Sequence, residues 1–475
     1  MFARSLAAIG LLIVSCYAPG AFAASGEAPH VDGAALGLIW VAPFAGILLS
    51  IALMPLLAPH IWHRHYGKIA LFWALAFLLP FAAVFGPAAA LYETLHSILL
   101  EYVPFIILLL ALFTVAGGIR IVGHPHGTPV VNTAFLAIGT VIASLMGTTG
   151  AAMLLIRPLI EANAWRQRKV HVVVFFIFLV ANIGGSLTPL GDPPLFLGFL
   201  KGVPFFWPTQ HVFLPMLLIA GILLVLFYAL DSYLGSKEEA SAPQRDKDAG
   251  GIRIEGKINL LLLLGIVGAV LLSGIWKSGI AFTIYHVQTE LEALVRDVLL
   301  LAIVGLSVVL TSAESRRANH FNWEPMREVA KLFVGIFLTI VPAIAILRAG
   351  EQGALGVVVG AVTNDAGQPI DAAYFWLTGI LSSFLDNAPT YLVFFNTAGG
   401  DAAVLTGPLA STLVAISAGA VFMGANTYIG NAPNFMVRAI AEQRGVAMPS
   451  FFGYMAWSTA ILLPLFGLVT IIFFL

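Results

Sequence analysis

The amino-acid sequence predicts an all-α polytopic membrane protein, with about ten transmembrane helices plus two opposed re-entrant hairpins in an inverted repeat. Three observations carry this expectation. Of 475 residues, 60% are hydrophobic and 10% charged, and the mean hydropathy is +0.96. Ordinary globular chains hold about 45–50% apolar and about 25% charged residues, so no soluble interior accommodates the excess. Apolar stretches of spanning length follow one another along the chain, and polar interruptions fall inside four of them, at matching places in its two halves. A net charge of −1 gives no reason to expect nucleic acid as a partner, and the single cysteine, Cys16, excludes intrachain disulfides and cysteine-built metal sites.

The elements follow in order. Residues 1–24 have the form of a signal peptide, with Arg4, a short apolar run, and small residues ending at Ala23 and Ala24. Spans are expected near 36–58, 67–86, 97–118, 170–200, 211–234, 257–275, 296–312, 329–347, 408–437 and 451–475. Each approaches the length that crosses a core of about 30 Å at about 1.5 Å per residue. The segments 130–161 and 373–399 are apolar but interrupted near the middle, which suits re-entrant hairpins. Residues 236–256, rich in Lys, Glu, Asp, Gly and Ser, form a cytoplasmic linker between a first repeat at 25–235 and a second at 257–475.

Charge tests this map. With residue 25 outside, Lys201, Lys277, Arg296 and Arg348 lie outside; Arg4 is in the leader, and the remaining 18 of the 23 Lys and Arg fall inside. The asymmetry survives only if both hairpins enter and leave on one side. His60, His63, His65, His124 and His126 are then expected in solvated inner loops.

The halves match at a constant offset of 239 residues: Ser144 with Ser383, Gly185 with Gly424, Thr188 with Thr427, Gly191 with Gly430, Pro194 with Pro433. Each half has five crossings and one hairpin. Five is odd, so the second copy enters from the opposite face, as in alternating-access transporters.

An acid in the hydrocarbon core costs about 2.5–3.5 kcal/mol on insertion scales. Among the 24 Asp and Glu, two sit squarely at interruptions, Asp192 and Asp386, whereas Glu101 and Asp231 are expected near span ends. Pro193, Pro389 and Pro433 suit the starts of half-helices, and Asp192, Asn387 and Asn431 before them are good N-cap types. The fourth interruption is Gly147-Thr148-Thr149-Gly150. Broken helices offer carbonyls, and with hydroxyls, amides and a carboxylate they make a site for a hard cation. Two mirror sites are expected: Thr148, Thr149, Thr188 and Asp192 in one, and Asp386, Asn387, Thr427 and Asn431 in the other. Asp192 and Asp386 are the Na⁺ candidates. No Walker A loop, zinc signature or nucleophile elbow is present, so no enzyme and no cofactor is expected.

The strings Asn182–Pro194 (NIGGSLTPLGDPP) and Ser382–Thr390 (SSFLDNAPT) resemble the ion-transporter superfamily, and within it the NhaD-type sodium/proton antiporters and the related putative citrate-transport group. The resemblance covers residues from about 36 to 475. It implies a secondary transporter of the bacterial inner membrane, commonly a homodimer, with Asp192 and Asp386 as ion-coupling acids and Thr188 and Asn387 beside them. The expected function is sodium/proton antiport, with Na⁺ and H⁺ as the transported ions. The alternative is sodium- or proton-coupled transport of citrate or another carboxylate. The second broken helix, Gly424–Phe435 (GANTYIGNAPNF), departs from the NhaD pattern.

Overall fold

The computed structural model describes residues 31–123, 126–238 and 253–475. The leader 1–24 with Cys16, His124, and residues 239–252 of the linker lie outside the described residues. The chain is an all-α polytopic membrane protein: among the described residues, ten helices are long and apolar enough to cross a membrane, and strands occur only as two small two-stranded pairs.

The ten helices are not the ten expected spans. Pro129–Met146, the outgoing arm of the first hairpin, reaches 18 residues, whereas the span expected at 408–437 divides into Ala410–Met423 and Ala432–Gln443. The third span begins earlier than expected, running Pro87–Ala116. Gly86 (φ +88°) ends the preceding helix, and Pro87 starts the next. Glu101 therefore sits in mid-helix, inside a five-residue π turn at Ile98–Tyr102, and not near a span end. His60, His63 and His65 lie in the first turns of Pro59–Phe85 rather than in a loop.

The helices pack as two groups. Leu38–Leu57, Pro59–Phe85 and Pro87–Ala116 pack with Ile258–Ile275, Leu291–Leu310 and Glu324–Arg348 and form a frame. The central body holds the hairpin arms Pro129–Met146 and Thr148–Ala162, the broken helix Val170–Leu179 with Pro193–Leu200, and the helix Phe213–Gly235. Interlocked with them are Asp371–Phe384 and Asn387–Thr397, Ala410–Met423 with Ala432–Gln443, and Phe451–Phe473. Each half of the chain thus supplies three frame helices, then a hairpin, a broken helix and a last helix. Among the described spans Val170–Leu187 is 89% buried and no other exceeds 61%, and Asn387–Thr397 and Ala410–Met423 are almost wholly buried too, so the breaks lie in the interior of the body.

Basic loops gather at one end. Arg120–Val122 pairs antiparallel with Arg253–Glu255, the side-chain amide of Asn319 donates to the carbonyls of Gly117 and Ile119, and Arg316 donates to that of Thr114. Lys201, Arg348 and Asp32 line one cavity away from those loops.

Candidate functional site

The site forms where both hairpin tips meet the break of the first broken helix. Gly147 turns the first tip at φ +81°, ψ 147°, a conformation only glycine adopts without strain, and Thr148 begins the return arm. The backbone N–H of Thr148 donates to Gly191 O at 2.9 Å, fixing the tip on the break. Glycines make the breaks close-packed. A Cβ on Gly191 would lie 2.2 Å from Gly185 O, and one on the matching Gly430 would lie 2.6 Å from Gly424 O. Gly191→Ala is therefore expected to cost about 1–3 kcal/mol or more through backbone displacement. Gly221→Ala, where the added methyl meets open space, should melt like the parent protein. Thermal unfolding of the two purified variants checks the difference.

The threonines of the two breaks close the turns. Thr188 Oγ1 donates to Ser144 O and accepts from Leu190 N at 3.1 Å. Thr427 Oγ1 donates to Ser383 O and accepts from Ile429 N at 3.2 Å. These four bonds match pairwise at the 239-residue offset. Both hydroxyls bond backbone, and neither takes part in the hydrogen bonds at Asp192. Thr149 is half-buried and takes no part in the hydrogen bonds at Asp192.

One carboxylate organises the rest. Asp192 is 1% exposed. Its Oδ1 accepts from Thr148 Oγ1 at 3.0 Å and from Asn431 Nδ2 at 3.1 Å, and its Oδ2 accepts from Asn387 Nδ2. Thr148 and Asn387 are 239 residues apart, as are Asp192 and Asn431. Two offset-matched pairs, one residue from each hairpin tip and one from each broken helix, thus meet at a single carboxylate. The two separate mirror sites expected from sequence are not what the structure shows: Asn387 and Asn431 join Asp192 instead of surrounding Asp386.

The reason lies in the caps. Asp192 and Asn431 occupy N-cap positions, yet neither side chain caps its own helix; both turn to the shared cluster. Asp386 does cap: its carboxylate accepts from Ala388 N at 3.1 Å, and the residue is half-buried. A capping side chain folds back over the first turn. The next residue, Asn387, then points into the crossing.

Sequence reading missed two members. Asn182 Nδ2 donates to Asn434 Oδ1 at 2.7 Å, Asn182 Oδ1 accepts from Asn431 Nδ2 at 3.2 Å, and Asn434 Nδ2 donates to the carbonyls of Gly424 and Thr427. Both are fully buried. The available signal was a carboxamide at membrane depth one residue before Ile183-Gly184-Gly185 and one after Pro433.

Electrostatically the cluster is bare. Among the described residues no Lys, Arg or His forms an ion pair with Asp192, and no group of three His, Cys, Asp or Glu side chains is placed to hold a metal ion. Asn387 Oδ1, beside the carboxylate, is buried without a hydrogen-bond partner. Arg157, on the returning hairpin arm, spends a guanidinium N–H on its own helix at Met153 O.

A family model described as putative citrate transport matches residues 33–474. No curated protein matches the chain. A match over nearly the full length of the chain, on a fold of ten apolar helices with polar breaks at its centre, assigns this multi-pass membrane protein to the putative citrate transport family of transporters.

Proposed function

We propose that this transporter is a sodium/proton antiporter that works by alternating access, with Asp192 as the shared site of Na⁺ and H⁺. The observation that carries the reading is a buried carboxylate held by three neutral donors and, among the described residues, paired with no cationic side chain. A bare negative charge in such surroundings is costly, and neutral donors offset only part of that cost. Either a sodium ion or a proton completes the site, but a single carboxylate serves both poorly at once. Competition for the same oxygens makes exchange without further machinery. Asn387 Oδ1 supplies an unpartnered oxygen of the kind hard cations take. The matched order of elements in the two halves supports an inverted repeat and hence alternating access. A bacterial inner-membrane location and a homodimer belong to the same proposal, as does a minor role for Asp386, whose carboxylate already caps a helix.

The family description favours a second reading, sodium- or proton-coupled transport of citrate. A carboxylate substrate approaching Asp192 would then arrive with its cations, because that acid is held by the neutral side chains of Thr148, Asn387 and Asn431.

Everted vesicles carrying a quenched pH dye test both. Antiport predicts dequenching on Na⁺ without citrate, and a rise in the apparent Michaelis constant for Na⁺ as pH falls, since protons occupy the same oxygens. Dequenching that requires citrate would replace antiport with the second reading, and a Michaelis constant indifferent to pH would overturn Asp192 as a site shared by Na⁺ and H⁺.

A further inference from the structure

The frame and the central body meet along a seam. At one end the seam holds a cavity of about 460 Å³, whose lining includes Glu93, Glu101, Lys201, Ile344 and Arg348. Two polar bridges cross the seam there. Lys201 Nζ donates to Glu101, and Arg348 Nε donates to Asn396 Oδ1 at 2.8 Å. Glu101 and Arg348 belong to the frame; Lys201 and Asn396 belong to the body.

The body-side partners are placed on the two half-helices that reach the ion site. Lys201 directly follows Pro193–Leu200, which Asp192 precedes. Asn396 lies in the last turn of Asn387–Thr397, whose first residue donates to Asp192. Lys201 lies nine residues after Asp192 and Asn396 nine after Asn387, so about 13.5 Å of helix separates each bridge from the cluster. Both helices pack against each other, and a shift at the seam reaches the cluster as a rigid displacement.

The frame side of the first bridge is unusual. Glu101 is 5% exposed, and it projects from the π turn Ile98–Tyr102. Such turns are rare and concentrate at functional positions. A buried ion pair adds little net stability, because the desolvation of both partners cancels most of the attraction; its best-attested use is to fix a register. A body that moves against its frame must break directional bonds across the seam, and these two stand together at one end.

We propose that Glu101–Lys201, assisted by Arg348–Asn396, is a latch that holds the central body against the frame in one state of the transport cycle and opens in the other. The proposal rests on alternating access, and not on which species is carried. Glu101 and Lys201 act as positioning residues, since neither touches the ion site.

The test follows the populations of the two states. A reporter cysteine at Thr149, with Cys16→Ser, is labelled by a membrane-impermeant maleimide in inside-out and in right-side-out vesicles. The readout is the ratio of the two labelling rates, with Na⁺ and with citrate. K201M keeps the length of the side chain and removes its charge, E101Q is nearly isosteric, and E101Q/K201M removes both charges of the pair, so neither is stranded if either single variant folds poorly. The latch predicts that all three shift the ratio in one direction by about fivefold or more, with the double variant no worse than the larger single. A ratio that responds to Na⁺ or citrate but is unchanged by these substitutions overturns the latch alone. A ratio that no condition or variant moves overturns the latch and alternating access together.

Discussion

Asp192→Asn is expected to abolish sodium-dependent proton movement, with a loss of about 100-fold or more, while the protein remains folded. About 2.7 kcal/mol of lost ion binding gives that factor, and a charge-assisted contact in a buried site supplies about this much. The substitution removes both the charge that attracts Na⁺ and the group that takes H⁺. It also places an amide among three donors, from Thr148, Asn387 and Asn431, which at first leaves one N–H facing another. Asn387 relieves this conflict. Its unpartnered Oδ1 comes to face the new N–H when the carboxamide turns over, so the fold survives. Asp386→Asn is expected to retain at least about a third of the flux, since Asn is an equally good N-cap. Vesicle flux measured beside size-exclusion profiles of the same preparations separates the two acids. Equal, severe loss in both variants would restore the two-site arrangement that the sequence suggested; normal flux in Asp192→Asn would end the antiport reading.

The fold class and the location of every break were legible in the sequence, because both follow from where apolar runs stop. Leu190-Gly191-Asp192-Pro193 and Gly147-Thr148-Thr149-Gly150 interrupt membrane-length segments, and backbone at that depth needs partners. What the runs do not encode is the direction of a side chain at a break. Asp192 and Asp386 occupy the same kind of position before a half-helix, yet one faces the crossing and the other its own first turn. That choice depends on which donors the opposing hairpin presents, a long-range fact spanning 195 residues between Asp192 and Asn387. Likewise, Glu101 was misplaced because residues 87–97 are too polar to extend an apolar run, although Pro87 starts the helix there and Tyr92 and Ser97 are buried against protein.

Asp231 shows the same limit at the basic end, and it carries the second large effect. It lies near the end of Phe213–Gly235, as its position in the apolar run suggested, but that position does not reveal its partners. Asp231 is fully buried: Oδ1 accepts from Arg166 at 2.5 Å and lies 2.7 Å from His171 Nε2, and Oδ2 accepts from Asn132 at 2.9 Å. Asn163 bonds both Asn132 and Arg166, so the network ties both feet of the first hairpin to Val170–Leu179 and Phe213–Gly235. Removing one partner of such a pair leaves the other charged and buried, at a cost of about 3–5 kcal/mol. Asp231→Ala is therefore expected to lose most of its folded yield, because Arg166 has no exposed surface through which water could replace the carboxylate. Removing both charges avoids that penalty, so Arg166→Met with Asp231→Leu should melt well above Asp231→Ala, and the double-mutant cycle should give a coupling of about 1–3 kcal/mol. Melting followed by fluorescence-detected size exclusion measures all the variants. If Asp231→Ala melts with the parent protein, the network does not hold the hairpin; if the double variant melts no higher than Asp231→Ala, the cost comes from lost packing and not from a stranded charge.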